Sequence, residues 1–268
     1  MKTPPAPTSS SPQNLGSPPS LAHFVWPLRP SRGNAGRLAE PDRRRSGLGV
    51  PALLSVLVAV VLSACSSAPP PADWQMGAKG SLERSTEAWL RGDSKIEAVE
   101  FARARAEVAS TGRPDWVARV ELVRCAARVA SLEFEPCSGF EALANDAAAP
   151  ELAYSRYLVG AIAASDVALL PRAHQSLAVT SGAGSDTVLA AVDDPLSRLV
   201  AAGVLMRRGE ATPGTVQQAV DTASARGWRR PLLVWLRVAQ ERAKAGGAAD
   251  EVVRLQRRID VLAPTNTR

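Results

Sequence analysis

The sequence predicts an all-α protein, an α-solenoid of antiparallel helix hairpins. Three observations carry that prediction. Ala, Leu, Val and Arg dominate, only 4% of residues are aromatic, and β-branched or aromatic runs that strands favour are scarce. Helix-stop and helix-start signals recur along the chain, with glycines after periodic segments and Asp, Ser or Thr-Pro before the next. The turns between these segments are short, which favours antiparallel neighbours.

The elements follow in order. A helix is expected over Met76–Arg91, stopped by Gly92, with Asp93-Ser94 capping the next over Lys95–Thr111. Pro114 suits the first position of a third helix reaching Leu132. Its Leu122, Cys125 and Val129 fall on one stripe and Trp116, Val120 and Val123 on another, the pattern of an inner helix contacted from two sides. A loop at Phe134–Cys137 and a short turn near Phe140–Ala144 precede a helix over Pro150–Ala164. Pro171–Val179, a Ser/Gly loop at 181–185 and a short helix before Asp193 come next. Asp194-Pro195 opens a helix to Arg208, and Thr212-Pro213 opens one that Gly227 stops. Pro231 opens a helix with Trp235 and Leu236 on its inner stripe. After Gly246-Gly247, Val252, Leu255, Ile259 and Leu262 mark the last.

Charge removes one class of function. The chain carries 32 Lys+Arg against 26 Asp+Glu. Residues 1–64 hold seven of the former and two of the latter, leaving 25 basic and 24 acidic residues, a net of +1. A body so nearly neutral lacks the electrostatic footprint of a nucleic-acid binder.

The basic excess belongs to an export signal. Arg43-Arg44-Arg45 precedes an apolar run from Leu48 to Ala64, and small residues close it, the order of a secretory signal. Leu62-Ser63-Ala64-Cys65 resembles the bacterial lipobox. That resemblance implies removal of residues 1–64, lipidation of Cys65, and anchoring of the body to a membrane through several acyl chains. Ser66 after the cysteine, in place of Asp, implies the outer membrane by the enteric rule. The competing readings are a transmembrane anchor over Leu48–Ala64 and a twin-arginine signal at Arg44-Arg45. Residues 65–75, rich in Ser, Ala and Pro, read as a tether, and 76–268 as the helical domain.

Two stretches of that domain resemble tetratricopeptide repeats. One is Ala88-Trp89-Leu90-Arg91-Gly92-Asp93 followed by Glu97-Ala98-Val99-Glu100-Phe101; the other runs from Gly247 to Pro264. In the second, Val252 and Ile259 stand at the repeat's small crossing positions. The resemblance implies an extended surface for a protein or peptide partner.

No residue set reads as catalytic, metal-binding or cofactor-binding. His174 is the one histidine after Cys65, without a Gly-x-Ser-x-Gly, His-Glu-x-x-His or Cys-x-x-Cys motif nearby, and reads as a surface histidine. Asp193-Asp194 and Asp250-Glu251 suit helix N-termini. Gly182-Ala183-Gly184-Ser185 lacks the Lys-Ser/Thr of a phosphate loop, and Arg229-Arg230 beside Trp228 reads as a solvated turn. The function expected is a protein-binding scaffold or adaptor on the periplasmic side of the outer membrane. The alternative is an enzyme on an envelope polymer such as peptidoglycan, with its acid among Glu133, Glu135 and Glu141. Once Cys65 is acylated, Cys125 and Cys137 remain. An even number in an oxidising compartment predicts a disulfide, against the alternative of two buried thiols.

Overall fold

The computed structural model describes residues 72–262. The leader, the lipobox, Cys65 and most of the tether lie outside the described residues. The elements are α1 (Asp73–Arg91), α2 (Ser94–Ala109), α3 (Pro114–Ala130), α4 (Ser138–Glu141), a 3-10 turn (Ala144–Asp146), α5 (Ala149–Leu158), a second 3-10 turn (Ala164–Leu169), α6 (Arg172–Val179), α7 (Gly184–Ala190), α8 (Pro195–Arg207), α9 (Pro213–Arg226), α10 (Arg229–Ala245) and α11 (Ala249–Leu262). Among the described residues every regular element is helical. No described helix is long and apolar enough to cross a membrane.

Local chemistry sets most boundaries. Gly92 ends α1 at φ 94°, a left-handed conformation that costs glycine little, and the Asp93 carboxylate accepts from Ile96 N at 3.1 Å to start α2. Thr212 and Thr215 form a reciprocal capping box at the start of α9. Asp194 caps α8 through Ser197 N at 2.7 Å. Several boundaries differ from expectation, α2 and α3 each ending two residues early. α1 begins at Asp73, inside the segment read as tether. α10 begins at Arg229, with Pro231 inside its first turn. α5 ends at Leu158, because Gly160 takes φ 79° and its N–H bonds back to the Tyr157 carbonyl at 2.9 Å. The chain to Leu169 then forms a 3-10 turn instead of continuing the helix.

The hairpins are antiparallel, as partner numbers show: one rises as the other falls. Across α1 and α2, Gly77 faces Glu107, while Arg84 pairs with Glu100 at 2.9 Å. Across α10 and α11, Gln240 meets Gln256 and Arg229 reaches the Leu262 carbonyl. α3 is the inner helix that its two apolar stripes predict. It packs against α1, α2, α5 and α8, and buries ten residues from Val117 to Ala130.

Contacts also run between elements far apart in sequence. A stack in which each hairpin touches only its neighbours would leave α1 and α10 apart, yet they pack together, as do α3 and α8. Gly203 makes the second contact possible. A Cβ there would run into the Val129 backbone carbonyl, so only glycine lets α8 lie this close to α3. The Trp235 indole, fully buried, donates to the Ala130 carbonyl at 3.1 Å and ties α10 to α3. α1, α3, α8, α9 and α10 thus close a ring around one core.

Trp228 and Arg230 are part of that closure, which corrects the solvated-turn reading for them, while Arg229 stays exposed and reaches α11. Trp228 is buried and donates to Glu87 of α1 at 2.9 Å. Arg230 lies 3.8 Å over the Trp89 ring and donates to the Trp89 carbonyl and to Ser94 Oγ. Arg128 covers the same ring at 4.5 Å. An indole held between guanidinium groups welcomes two like charges in one seam, and Glu133, within 3.7 Å of both arginines, balances them.

Candidate functional site

The segment from α4 to α7 stands apart from the ring. Its helices are short, and they lean on α3 and α8 without filling the space between. A cavity of about 1060 Å³ results, bounded by α3, α5, the turn before α6, α6, α7 and the start of α8. Its walls are largely apolar, with Leu122, Val123, Leu170, Leu196 and Val200 among them.

His174 lines this cavity and is fully buried, so the surface reading is wrong. Its position on α6 turns it inward between two tyrosines of α5. Its ring centroid lies 4.9 Å from that of Tyr157 and 5.7 Å from that of Tyr154. Nδ1 is 3.2 Å from the Tyr157 hydroxyl. Burial drives the imidazole pKa down to about 3, because no opposite charge compensates an imidazolium there. Burial also raises both tyrosines above the usual phenol range. The cluster is therefore neutral at physiological pH. A neutral phenol must donate somewhere, and Nδ1 is its one partner shown, so Tyr157 donates to Nδ1 and the proton of His174 sits on Nε2.

Another buried polar residue of the cavity is Glu151, in the first turn of α5. It is buried, and Arg119 of α3 holds its Oε1, with Nε at 2.7 Å. Sequence reasoning passed over Glu151. An acidic residue after a proline suits a helix N-terminus, and nothing local shows that Arg119 faces it.

The acids expected for an enzyme lie elsewhere. Glu133 belongs to the Trp89 seam, and Glu135 and Glu141 are exposed; none of the three lines the cavity. Of the acidic pairs, Asp194 caps α8, and Asp193, exposed, sits beside it at the cavity edge. Asp250 and Glu251 stand in the first turn of α11. Arg254, hydrogen-bonded to Glu251 at 2.7 Å, holds that carboxyl below its usual range. Gly182 turns the chain at φ 65° before α7, and Ser185 Oγ donates to the Thr180 carbonyl. Among the described residues, no three His, Cys, Asp or Glu side chains are grouped so as to hold a metal ion.

Cys125 of α3 and Cys137 of the following loop stand at disulfide-bonding distance, with Cα atoms 6.0 Å apart. The chain turns back at Leu132, which takes φ 57°, and Phe140 is buried against the core beyond. A bond between them would fasten the start of the α4–α7 segment to the ring. No family model, no curated protein and no solved structure matches the chain.

Proposed function

We propose that the protein is a lipid-anchored scaffold or adaptor of the cell envelope, held at Cys65 on the periplasmic side of the outer membrane and binding a protein partner through α2. The supporting observation is the outer face of that helix. α2 packs inward through Phe101, Ala104 and Val108. Its opposite side sets Ile96, Val99, Ala102 and Ala106 in water, with Ile96 and Val99 52% and 61% exposed. Two large apolar side chains three residues apart on an outside face, continued by two alanines, support a surface that another molecule covers. Lys95 and Arg103 flank the stripe. The lipobox resemblance supports the anchor, and the antiparallel hairpins α1–α2 and α10–α11 support a solenoid-like reading of the body, shortened by the ring.

A photo-crosslinking residue placed at position 96 or 99 of the full chain, in intact cells, is expected to trap one discrete protein adduct. The same residue at exposed position 141 is expected to trap none. Ile96→Asp with Val99→Asp should abolish binding of the trapped partner while changing stability by less than about 0.5 kcal/mol. Equal adducts from all three positions overturn the reading. Labelled fatty acid incorporated equally by wild type and Cys65→Ala overturns the anchor.

A further inference from the structure

The cavity between the ring and the short helices carries an inference independent of the α2 face. Two of its lining residues each present a polar atom that no protein group satisfies: Glu151 Oε2 and His174 Nε2. Glu151 is 6% exposed and His174 not at all. Buried polar atoms are nearly always paired, because leaving one unpaired forfeits its hydration with no return. The orientation of each is fixed by its other end. Arg119 holds Glu151 through Oε1, which leaves Oε2 as a free acceptor. Tyr157 occupies His174 Nδ1 and does not line the cavity, so the Nε2–H edge turns away from it as a free donor. The other charged residues of the wall are engaged or exposed: Arg119 holds Glu151, Asp194 caps α8, and Arg172 and Asp193 are exposed, while Leu122, Val123, Leu170, Leu196 and Val200 make much of the rest apolar.

We propose that this cavity binds an uncharged, mostly apolar small molecule whose head group both accepts and donates a hydrogen bond, as a carboxamide or an alcohol does. The head accepts from His174 Nε2–H and donates to Glu151 Oε2, and the apolar body lies along Leu122, Leu170, Leu196 and Val200. At these two atoms, charge selects against the alternatives. An anionic head meets the Glu151 carboxylate and a histidine that burial keeps neutral. A cationic head meets a carboxylate already paired with Arg119. A hydrocarbon satisfies neither polar atom. The volume of about 1060 Å³ suits a ligand of this kind.

The test uses intact cells producing the full chain and three photoreactive probes of one chain length: a diazirine-bearing dodecanamide, the matching dodecanoic acid and the matching dodecane. The amide is expected to label peptides from α5 and α6 about fivefold more than the acid or the alkane, the ratio one net hydrogen bond supplies. Excess unlabelled dodecanol should displace it. Val188→Trp, which fills the cavity from α7, should abolish labelling, and Glu151→Gln and His174→Phe should each reduce it. Where Val188→Trp fails to fold, displacement by dodecanol decides. Equal labelling by all three probes, labelling that dodecanol does not displace, or no labelling at all as for a cavity holding water only, overturns the proposal.

Discussion

The ring and the α4–α7 segment solve the same packing problem in opposite ways. In the ring, long helices close on one another until backbone nearly touches backbone at Gly203, and the indoles of Trp89 and Trp235 find backbone carbonyls, Ala127 at 3.1 Å and Ala130 at 3.1 Å. In the segment, helices of four to ten residues span too little length to fill their space. They leave a cavity and two unpaired polar atoms. The contrast teaches that stability and recognition are divided here. The ring is framework, and the unpaired Glu151 and His174 atoms beside the cavity offer an outside group a place.

The largest effect should come from opening the ring. Trp235→Ala removes a fully buried indole and orphans the Ala130 carbonyl. A loss of about 4 kcal/mol is expected, read as a fall in Tm of roughly 10 °C on thermal denaturation of the full chain. A loss below 1 kcal/mol would mean that the ring closes without it. Next is the tie between the regions. If Cys125 and Cys137 are bonded, reduction should cost about 3 kcal/mol for a loop of this length. Proteolysis should then cut first within 138–190. Unchanged thermal stability after reductant, with both thiols alkylated beforehand without it, would show buried thiols instead.

The smallest effect reads the segment's interior through pH. The His174 pKa is about 3 in the fold against 6.5 for the free side chain, so below pH 6.5 the unfolded chain takes up a proton that the folded chain refuses. Stability is intact above pH 6.5 and is lost as pH falls towards 3, at about 1.4 kcal/mol per pH unit. Between pH 7 and pH 5 the urea midpoint should therefore drop for wild type by the equivalent of about 2 kcal/mol, and by much less for His174→Phe. Equal slopes for the two proteins would place the imidazole in contact with water.

Most helix boundaries were legible because their causes are local. Gly92, Asp93, Asp194, Thr212 and Gly227 act on the residues beside them, and each acts in the structure as the sequence implies. Gly160 was not legible, because a glycine within an apolar periodic run reads equally as interior or as stop. The seam was hidden for a different reason. Trp228 and Arg230 are answered by Glu87, Trp89 and Ser94, from the opposite end of the domain. His174 misled because polarity argues for the surface until two tyrosines, seventeen and twenty residues earlier, prove to face it. The cavity had no sequence signal at all. It exists because of what short helices fail to cover.

The contact between Trp228 and Glu87 joins residues 141 positions apart. A ribosome adding roughly 5–20 residues each second needs on the order of ten to thirty seconds to supply the second partner. Through that interval α1 and α3 carry the Trp89 and Ala130 faces with nothing to rest on. Non-local closure of this kind also slows folding once synthesis ends. A nascent chain of this protein therefore spends its early life with a sticky flank exposed. That flank stays open until Trp228 and α10 arrive.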